Sequence, residues 1–486
     1  MKSFPILNEE QTDSLVVNTL QWSLANGLVM YPPNFQQYSA DNAPISLFPT
    51  PIPKSSFEDA INIQQTYNEL YSNVITKDKK WLVQNIEQLS RFDKDFTGKL
   101  FDIYKTLINE NGKVPQPLSL GIFRSDYMIH EADNNQIKQI EFNTVSVSFG
   151  GLSTKVNQLH NYLNKSGAYD TDYSYKYYDD AEIPISSSID DIAKALSIGN
   201  YYYNGEVEND KTVVLFIVQP NERNSFDQRH IEYSLINNFG LKSVRLTLEE
   251  VSDKTTVNSN KLYLKQTMDE ISVVYYRSGY APTDYVSEEC WKARLHLENN
   301  VAIKCPSILT QLAGAKKIQQ ILTNKQVLET FLPDLSETEL EKVLSTFVKI
   351  YPLDDSEEGK IAKQLIKTDP GNFVLKPQRE GGGNNIYKED IPSFLEKLEE
   401  KDWGAYILME LITPPIHKNK LLRNDQIFEE DIISELGVFG TILFDESKGD
   451  IKYNETSGFL LRSKFSSSNE GGVAAGFGCV DGVYLY

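Results

Sequence analysis

The chain of 486 residues is short of cysteine, tryptophan, methionine and histidine, with 3, 4, 5 and 5 copies respectively. Cys290, Cys305 and Cys479 are too few and too scattered for a disulfide framework or a zinc site. A reducing cytoplasm is therefore the expected compartment. The histidines are dispersed, and no Ser-His-Asp or Cys-His arrangement is legible. No apolar run nears the roughly 18 residues of a membrane span, and the longest, Val213 to Val218, has strand length. The start, Met1-Lys2-Ser3-Phe4-Pro5, leads into polar residues and lacks an apolar signal core. Basic residues are also scarce: 48 Lys and Arg face 68 Asp and Glu, a net charge of −20. That excludes a general nucleic-acid binder, which needs clustered cations. Any anionic substrate must be drawn in by local lysines and arginines against the global field.

What is present is a globular composition, 40% hydrophobic and 11% aromatic. The most informative stretch is Phe373-Val374-Leu375-Lys376-Pro377-Gln378-Arg379-Glu380-Gly381-Gly382-Gly383-Asn384-Asn385-Ile386-Tyr387. It begins as a buried strand and runs into three consecutive glycines. Glycines let backbone N–H groups approach an anion without a Cβ in the way. Lys376 offers a point charge for phosphate, and Glu380 an oxygen ligand for Mg²⁺. The Walker A spacing G-x-x-x-x-G-K-[ST] is absent. Taken alone, the run is equally compatible with a glycine-rich surface turn.

Apolar periodicity predicts a helix over 8–28 with Val17, Leu20 and Leu24 on one face, and a second from a Ser55/Glu58 capping box to about residue 74. Strands are predicted over Ser119–Arg124 and Gln136–Asn143. Alternation puts Glu141 and Asn143 on one strand face, two oxygen donors that suit Mg²⁺ with nucleotide phosphates. Ser146 and Ser148 follow in a turn before a helix over 152–164. Residues 165–210 read as a boundary. From 211 strands and helices alternate, which predicts a partly parallel α/β domain. At the carboxyl ends of its strands stand Glu222, Arg223, Asn224 and Gln228, and the segment Arg277-Ser278-Gly279-Tyr280. Arg277 is placed to fork onto a carboxylate. Lys316 and Lys317 open a helix predicted to reach about residue 331, against the macrodipole preference, either as an exposed lysine pair or for a ligand. Further strands are expected over 406–409, 431–444 and 452–462, carrying Glu435, Arg462 and Lys464. The second glycine-rich stretch, Asn469 to Gly478, has the composition of a closing lid.

Several blocks together, in order, resemble the eukaryotic glutathione synthetases, the fungal enzymes most of all. They are Ile122-Phe123-Arg124-Ser125-Asp126-Tyr127, Glu141 through Phe149, Glu222-Arg223-Asn224, Thr310-Gln311-Leu312-Ala313-Gly314, Lys376 through Asn385, and Gly471-Gly472-Val473-Ala474-Ala475-Gly476. The resemblance runs essentially end to end. It implies an α/β architecture: a circularly permuted α+β ATP-grasp core with an inserted parallel-sheet substrate domain, ATP lying between two antiparallel sheets. The implied division is 1–209 for the N-terminal part of the body, 210–312 for the α/β substrate domain, and 313–486 for the part with glycine-rich loop and lid. The implied reaction joins γ-glutamylcysteine to glycine with ATP and Mg²⁺, through an acyl phosphate, in a homodimer with no nucleic-acid or membrane partner.

Carried over by position, the resemblance assigns Mg²⁺ to Glu141, Asn143 and Glu380. ATP contacts fall on Glu141, Lys316, Lys376, Pro377, Gln378, Arg379, Glu380, Gly381, Gly382, Gly383, Asn384, Asn385, Tyr387, Met409, Glu410, Leu411, Ile412, Glu435, Lys464 and Glu470; the last stands where the family can carry aspartate. Peptide contacts fall on Arg124, Val145, Ser146, Val147, Ser148, Glu222, Arg223, Asn224, Gln228, Arg277, Ser278, Gly279, Tyr280, Arg462, Val473 and Ala474. Arg124, Lys376 and Arg462 take the catalytic roles, because the chemistry needs charge neutralisation rather than a protein nucleophile. A ligase with another amine acceptor and an ATP-binding protein without turnover remain the alternatives.

Overall fold

The computed structural model describes residues 4–171, 176–178, 182–207, 211–378, 384–468, 473 and 478–486. A 13-stranded mixed sheet forms the body. Its central strand, Leu118–His130, pairs antiparallel with Gln426–Asp445 on one side and Gln136–Asn143 on the other. At its start it also pairs parallel with Ile303–Cys305 through Ser119 and Lys304. From there the sheet continues through parallel Glu270–Tyr276, Thr212–Ile217 and Lys242–Leu246. Every residue of Thr212–Ile217 is buried, as expected of a parallel strand covered on both faces. The sheet also branches at Glu270–Tyr276, which pairs antiparallel with Lys261–Leu264, and that strand with Thr255–Asn258. On the opposite side the order runs through Ile451–Phe465, Gly478–Asp481 and Ile45–Ser46 to His417–Arg423.

A second, four-stranded antiparallel sheet is built from Ile350–Pro352, Tyr406–Glu410, Phe373–Pro377 and Ile386–Tyr387. Strand alternation divides its residues between two faces. Phe373, Leu375 and Leu408 pack with Ala362 and Ile366 of the helix Glu357–Thr368 and with Ile391 and Leu395 of Asp390–Leu395. Val374, Ile407 and Met409 form a separate cluster with Val348 and Ile350. Lys376 continues that second face, and its Nζ lies 3.0 Å from the carbonyl of Ile140. The two sheets therefore approach each other where Lys376 reaches the end of Gln136–Asn143.

Several sequence expectations need correction. The helix Glu9–Asn26 forms, with an Asn8/Gln11 capping box and Gly27 at φ +74, but Leu15, Thr19 and Ser23 are its buried residues. Val17 and Leu24 are 50% and 56% exposed. The fully buried stripe has i, i+4, i+8 spacing and is largely polar; of the three expected residues only Leu20 packs against the core, so apolar periodicity set the face off by part of a turn. The Ser55/Glu58 box does not form: the helix Lys54–Thr76 follows Pro53 without a side-chain cap, and Ser56 Oγ bonds Asn135 O at 2.7 Å. The single helix expected from 314 is two, Lys316–Leu322 and Lys325–Phe331, because Asn324 Oδ1 accepts from Gln326 N and Val327 N and starts a new helix. Within the expected boundary lies a helix, Ser188–Tyr203, whose Ile192, Ala193, Ala195 and Leu196 are buried. Its tyrosine-rich end hid that periodicity.

Candidate active site

The site is organised by one buried carboxylate. Arg124 and Asp126 sit two apart on Leu118–His130 and so share a face. Arg124 Nε and Nη2 donate to Asp126 Oδ1 and Oδ2 at 2.6 and 2.8 Å, a bidentate fork. Asp126 Oδ2 also accepts from Asn143 Nδ2 at 2.9 Å and from Arg462 Nη2 at 3.1 Å. Arg462 stands opposite Glu435 in the neighbouring strand and pairs with it. Sequence reasoning puts Arg124, Asn143 and Arg462 in the site and misses Asp126. The signal is present in Arg-Ser-Asp at strand spacing, but its partner Arg462 lies 336 residues away.

A second cluster gathers the cations. Lys316 Nζ donates to Glu141 Oε2 at 2.6 Å. Burial favours the neutral acid at Glu141, but Lys316, Lys376 and Arg462 outweigh it and hold the carboxyl well below its usual range. Lys376 is buried, and that desolvation together with Lys316 lowers its ammonium pKa to about 7, against the pull of Glu141 and Asp126. Lys464 adds a smaller depression, which puts it in the same field. Lys317 points elsewhere: its N–H donates to Gln378 Oε1 at 2.7 Å, and its Nζ lies 3.8 Å from Asp354 Oδ2. A cavity of about 330 Å³ lined by Lys317, Asp354, Gln378, Pro352 and Tyr406 lies there, and neither Glu141 nor Lys376 borders it. Pro377 pairs with Tyr406, and Tyr387, Leu411 and Ile412 pack on the Met409 cluster. That apolar face suits a flat ring. Asn385 Nδ2 lies 3.4 Å from Tyr387 OH, Asn384 is exposed, and Glu410 accepts from Lys349 N at 3.4 Å. Arg379, Glu380, Gly381, Gly382, Gly383, Glu470 and Ala474 lie outside the described residues. Val473 is buried, in the apolar cluster that contains Phe439, Leu460 and Val480.

The third group lies at the carboxyl ends of the parallel strands. Arg277 Nη1 donates to Val147 O and Nη2 to Ser148 Oγ at 2.8 Å, and Ser146 Oγ donates to Tyr276 O at 3.1 Å. The Val145–Ser148 turn is thus held by Arg277. Ser146 and Phe149 have φ of +53 and +69, a conformation non-glycine residues hold only when neighbours fix it. Asp227 does so: its carboxylate accepts from Phe149 N, Gly151 N and Leu152 N at 2.9, 2.6 and 3.0 Å, at the start of the helix Gly150–Lys165. Glu222 accepts from Asn224 N at 2.8 Å and Gln228 Nε2 at 3.2 Å. Arg223 instead reaches Tyr31 O at 3.1 Å. Ser278 is buried, Gly279 takes φ +92, and Tyr280 OH accepts from Gln219 at 3.1 Å. Gln311 donates to Gly279 O at 2.9 Å. Among the described residues, buried Asn224 Oδ1, Gln311 Oε1 and Arg277 Nε make no hydrogen bond, and three such atoms at one strand mouth suit a polar ligand. The roles of Asp227 and Gln311 carry no local sequence signal, because each acts on backbone distant in sequence.

The site thus brings together buried cations, a flat apolar face of the small sheet and a polar strand mouth. Residues 9–485 match the family model described as eukaryotic glutathione synthase, ATP-binding domain. The chain is 40% identical to the glutathione synthetase large chain of Schizosaccharomyces pombe over 98% of both chains. It is 40% identical to a chloroplastic glutathione synthetase of Arabidopsis thaliana, covering 99% of this chain and 86% of that one, and 37% identical to the rat glutathione synthetase over 98% of both. Among solved structures, a glutathione synthetase-like effector from Globodera pallida superposes with a TM-score of 0.76 over the whole of both chains at 21% identity, a likeness of fold. The chain belongs to the eukaryotic glutathione synthase family and has its ATP-grasp fold.

Proposed function

We propose that the protein ligates γ-glutamylcysteine to glycine with ATP, in the cleft between the two sheets. The observation that carries this reading is the meeting of Lys316, Lys376 and Glu141 beside the Arg124–Asp126–Arg462 clamp. A carboxylate is a poor acyl donor. The cysteinyl carboxylate oxygen attacks the γ-phosphorus of ATP, the bond to the β-phosphate oxygen breaks, and ADP leaves. The glycine amine then attacks the acyl carbon, a proton leaves nitrogen, and inorganic phosphate departs. Lys376 and Lys316 hold the phosphates, and Arg124 faces the charge that develops on the transferred group. Arg462 fixes the peptide carboxylate. The adenine lies on the Val374–Met409 face beside Tyr387 and the 409–412 segment. The 210–312 part holds the γ-glutamyl end through Glu222, Asn224, Gln228 and the 277–280 turn, and the 313–486 part holds the nucleotide.

The donors fit Mg²⁺. Asn143 spends its amide N–H₂ on Asp126 and Arg124 O, which leaves its carbonyl oxygen, and Glu141 is ionised. Bound there with Glu380, the ion would neutralise phosphate charge. The enzyme works as a cytoplasmic homodimer in this reading, and light scattering of the purified protein checks its mass against the 55.3 kDa chain. An acyl-phosphate route has a direct test. ATP and γ-glutamylcysteine without glycine, with hydroxylamine present, should give the peptide hydroxamate; its absence while the full reaction runs would rule out that intermediate.

A further inference from the structure

We infer that Asp126 is a positioning residue: it fixes the two guanidinium groups of Arg124 and Arg462 before substrate arrives, an inference that rests on the ligase reading above. Asp126 is fully buried, and its two oxygens accept from Arg124 Nε and Nη2, Arg462 Nη2 and Asn143 Nδ2. Oδ2 accepts three of these bonds and Oδ1 one, and the buried carboxylate faces its own side chains rather than open space, so it acts through its partners. Arg124 is further held by Nη1 on Ser148 O at 3.2 Å.

The clamp crosses a strand. Arg462 lies on Ile451–Phe465 and Asp126 on Leu118–His130, and Gln426–Asp445 runs between them. The residue of that middle strand opposite Asp126 is Gly437. A Cβ there would stand 2.8 Å from Arg124 Cδ and 2.9 Å from Asp126 Oδ1. Glycine at 437 is therefore what leaves room for the fork. One carboxylate against two arginines removes the rotamer freedom of both long side chains in advance, so less ordering is left for the bound state. An asparagine at 126 keeps the size but has one acceptor oxygen, and cannot hold the fork and Arg462 together.

The test uses the purified full chain with γ-glutamylcysteine, glycine and MgATP. Asp126→Asn should lower kcat about tenfold or more and raise KM for γ-glutamylcysteine by a similar factor, because Arg462 is released. KM for MgATP should move less than about threefold, since Asn143 keeps its bond to Arg124 O. In an Arg462→Ala background, Asp126→Asn should raise the peptide KM little further, because both act through one guanidinium. A folded Asp126→Asn enzyme with unchanged constants, or changes in peptide KM that simply multiply in the double variant, would overturn the proposal. If Asp126→Asn does not fold, Gly437→Ala tests the same clamp with every charge kept: kcat should fall, and an unchanged kcat would overturn it. Wild-type protein that makes no product from these substrates would remove the ligase reading itself, a result distinct from active wild type beside an unaffected variant.

Discussion

At the scale of single residues, Lys376 carries the most weight. It sits on the apolar face of the small sheet and yet reaches Ile140 of the large one. Its pKa of about 7, lowered by burial and by Lys316, means that much of it is neutral in the free protein near physiological pH. Phosphate oxygens need the ammonium, so ATP binding should take up to one proton. Because the charged form is lost as pH rises through about 7, ATP affinity should fall from pH 7 to 9, at most about tenfold per unit. Calorimetry in two buffers of different ionisation enthalpy reads that proton directly, and equal binding heats in both would contradict the assignment. Lys376→Met should cost about 1.5–3 kcal/mol of ATP affinity, a charged hydrogen bond, and should abolish the proton uptake. The residue scale is also the most legible in the sequence. Strand alternation points to Glu141 and Asn143, and the place before the glycines points to Lys376. The Arg-Ser-Asp spacing puts Asp126 beside Arg124, but nothing local shows that it is buried or that it also holds Arg462, because a carboxylate that satisfies arginines looks the same in sequence as one exposed at a strand end.

At the scale of elements, the short strand Gly478–Asp481, where the second glycine-rich stretch ends, is firmly anchored. It joins Ile451–Phe465 and Ile45–Ser46, and Asp481 ties all three. Its carboxylate accepts from Thr50 Oγ1 at 2.7 Å, Ser463 Oγ at 2.5 Å and Ser46 Oγ. Burial outweighs these bonds and raises its pKa to about 6 from 3.8. A raised carboxyl pKa means that the folded state prefers the protonated form. The stability it confers is full below 3.8 and is lost as pH rises through about 6. Relative to Asp481→Asn, the wild type should therefore lose up to about 3 kcal/mol between pH 4 and pH 7, measured by urea unfolding. Parallel stability curves for the two proteins would show that Asp481 does not titrate in this window. Short elements are where sequence periodicity fails. Ile45–Ser46 and His417–Arg423 are too short or too polar to show alternation, and their place is set by pairing with residues hundreds apart. The helix Glu9–Asn26 is legible because its Asn8 cap and Gly27 stop are local, while its buried face depends on what it packs against.

At the scale of the whole molecule, a net charge of −20 surrounds a cleft floored by Lys316, Lys376, Lys464, Arg124 and Arg462. The large sheet spans both the parallel strands with the polar mouth and the antiparallel strands with the clamp, so one rigid element sets the distance between peptide and phosphate sites. The small sheet supplies the opposing wall. This site joins a dipeptide to glycine at the expense of one ATP. Mass spectrometry of a reaction with γ-glutamylcysteine, glycine, ATP and Mg²⁺ tests it, with phosphate counted in the same sample. One glutathione should form per ADP and phosphate, and none when either amino substrate is omitted. Phosphate release without tripeptide, or no turnover with all four components present, would contradict it.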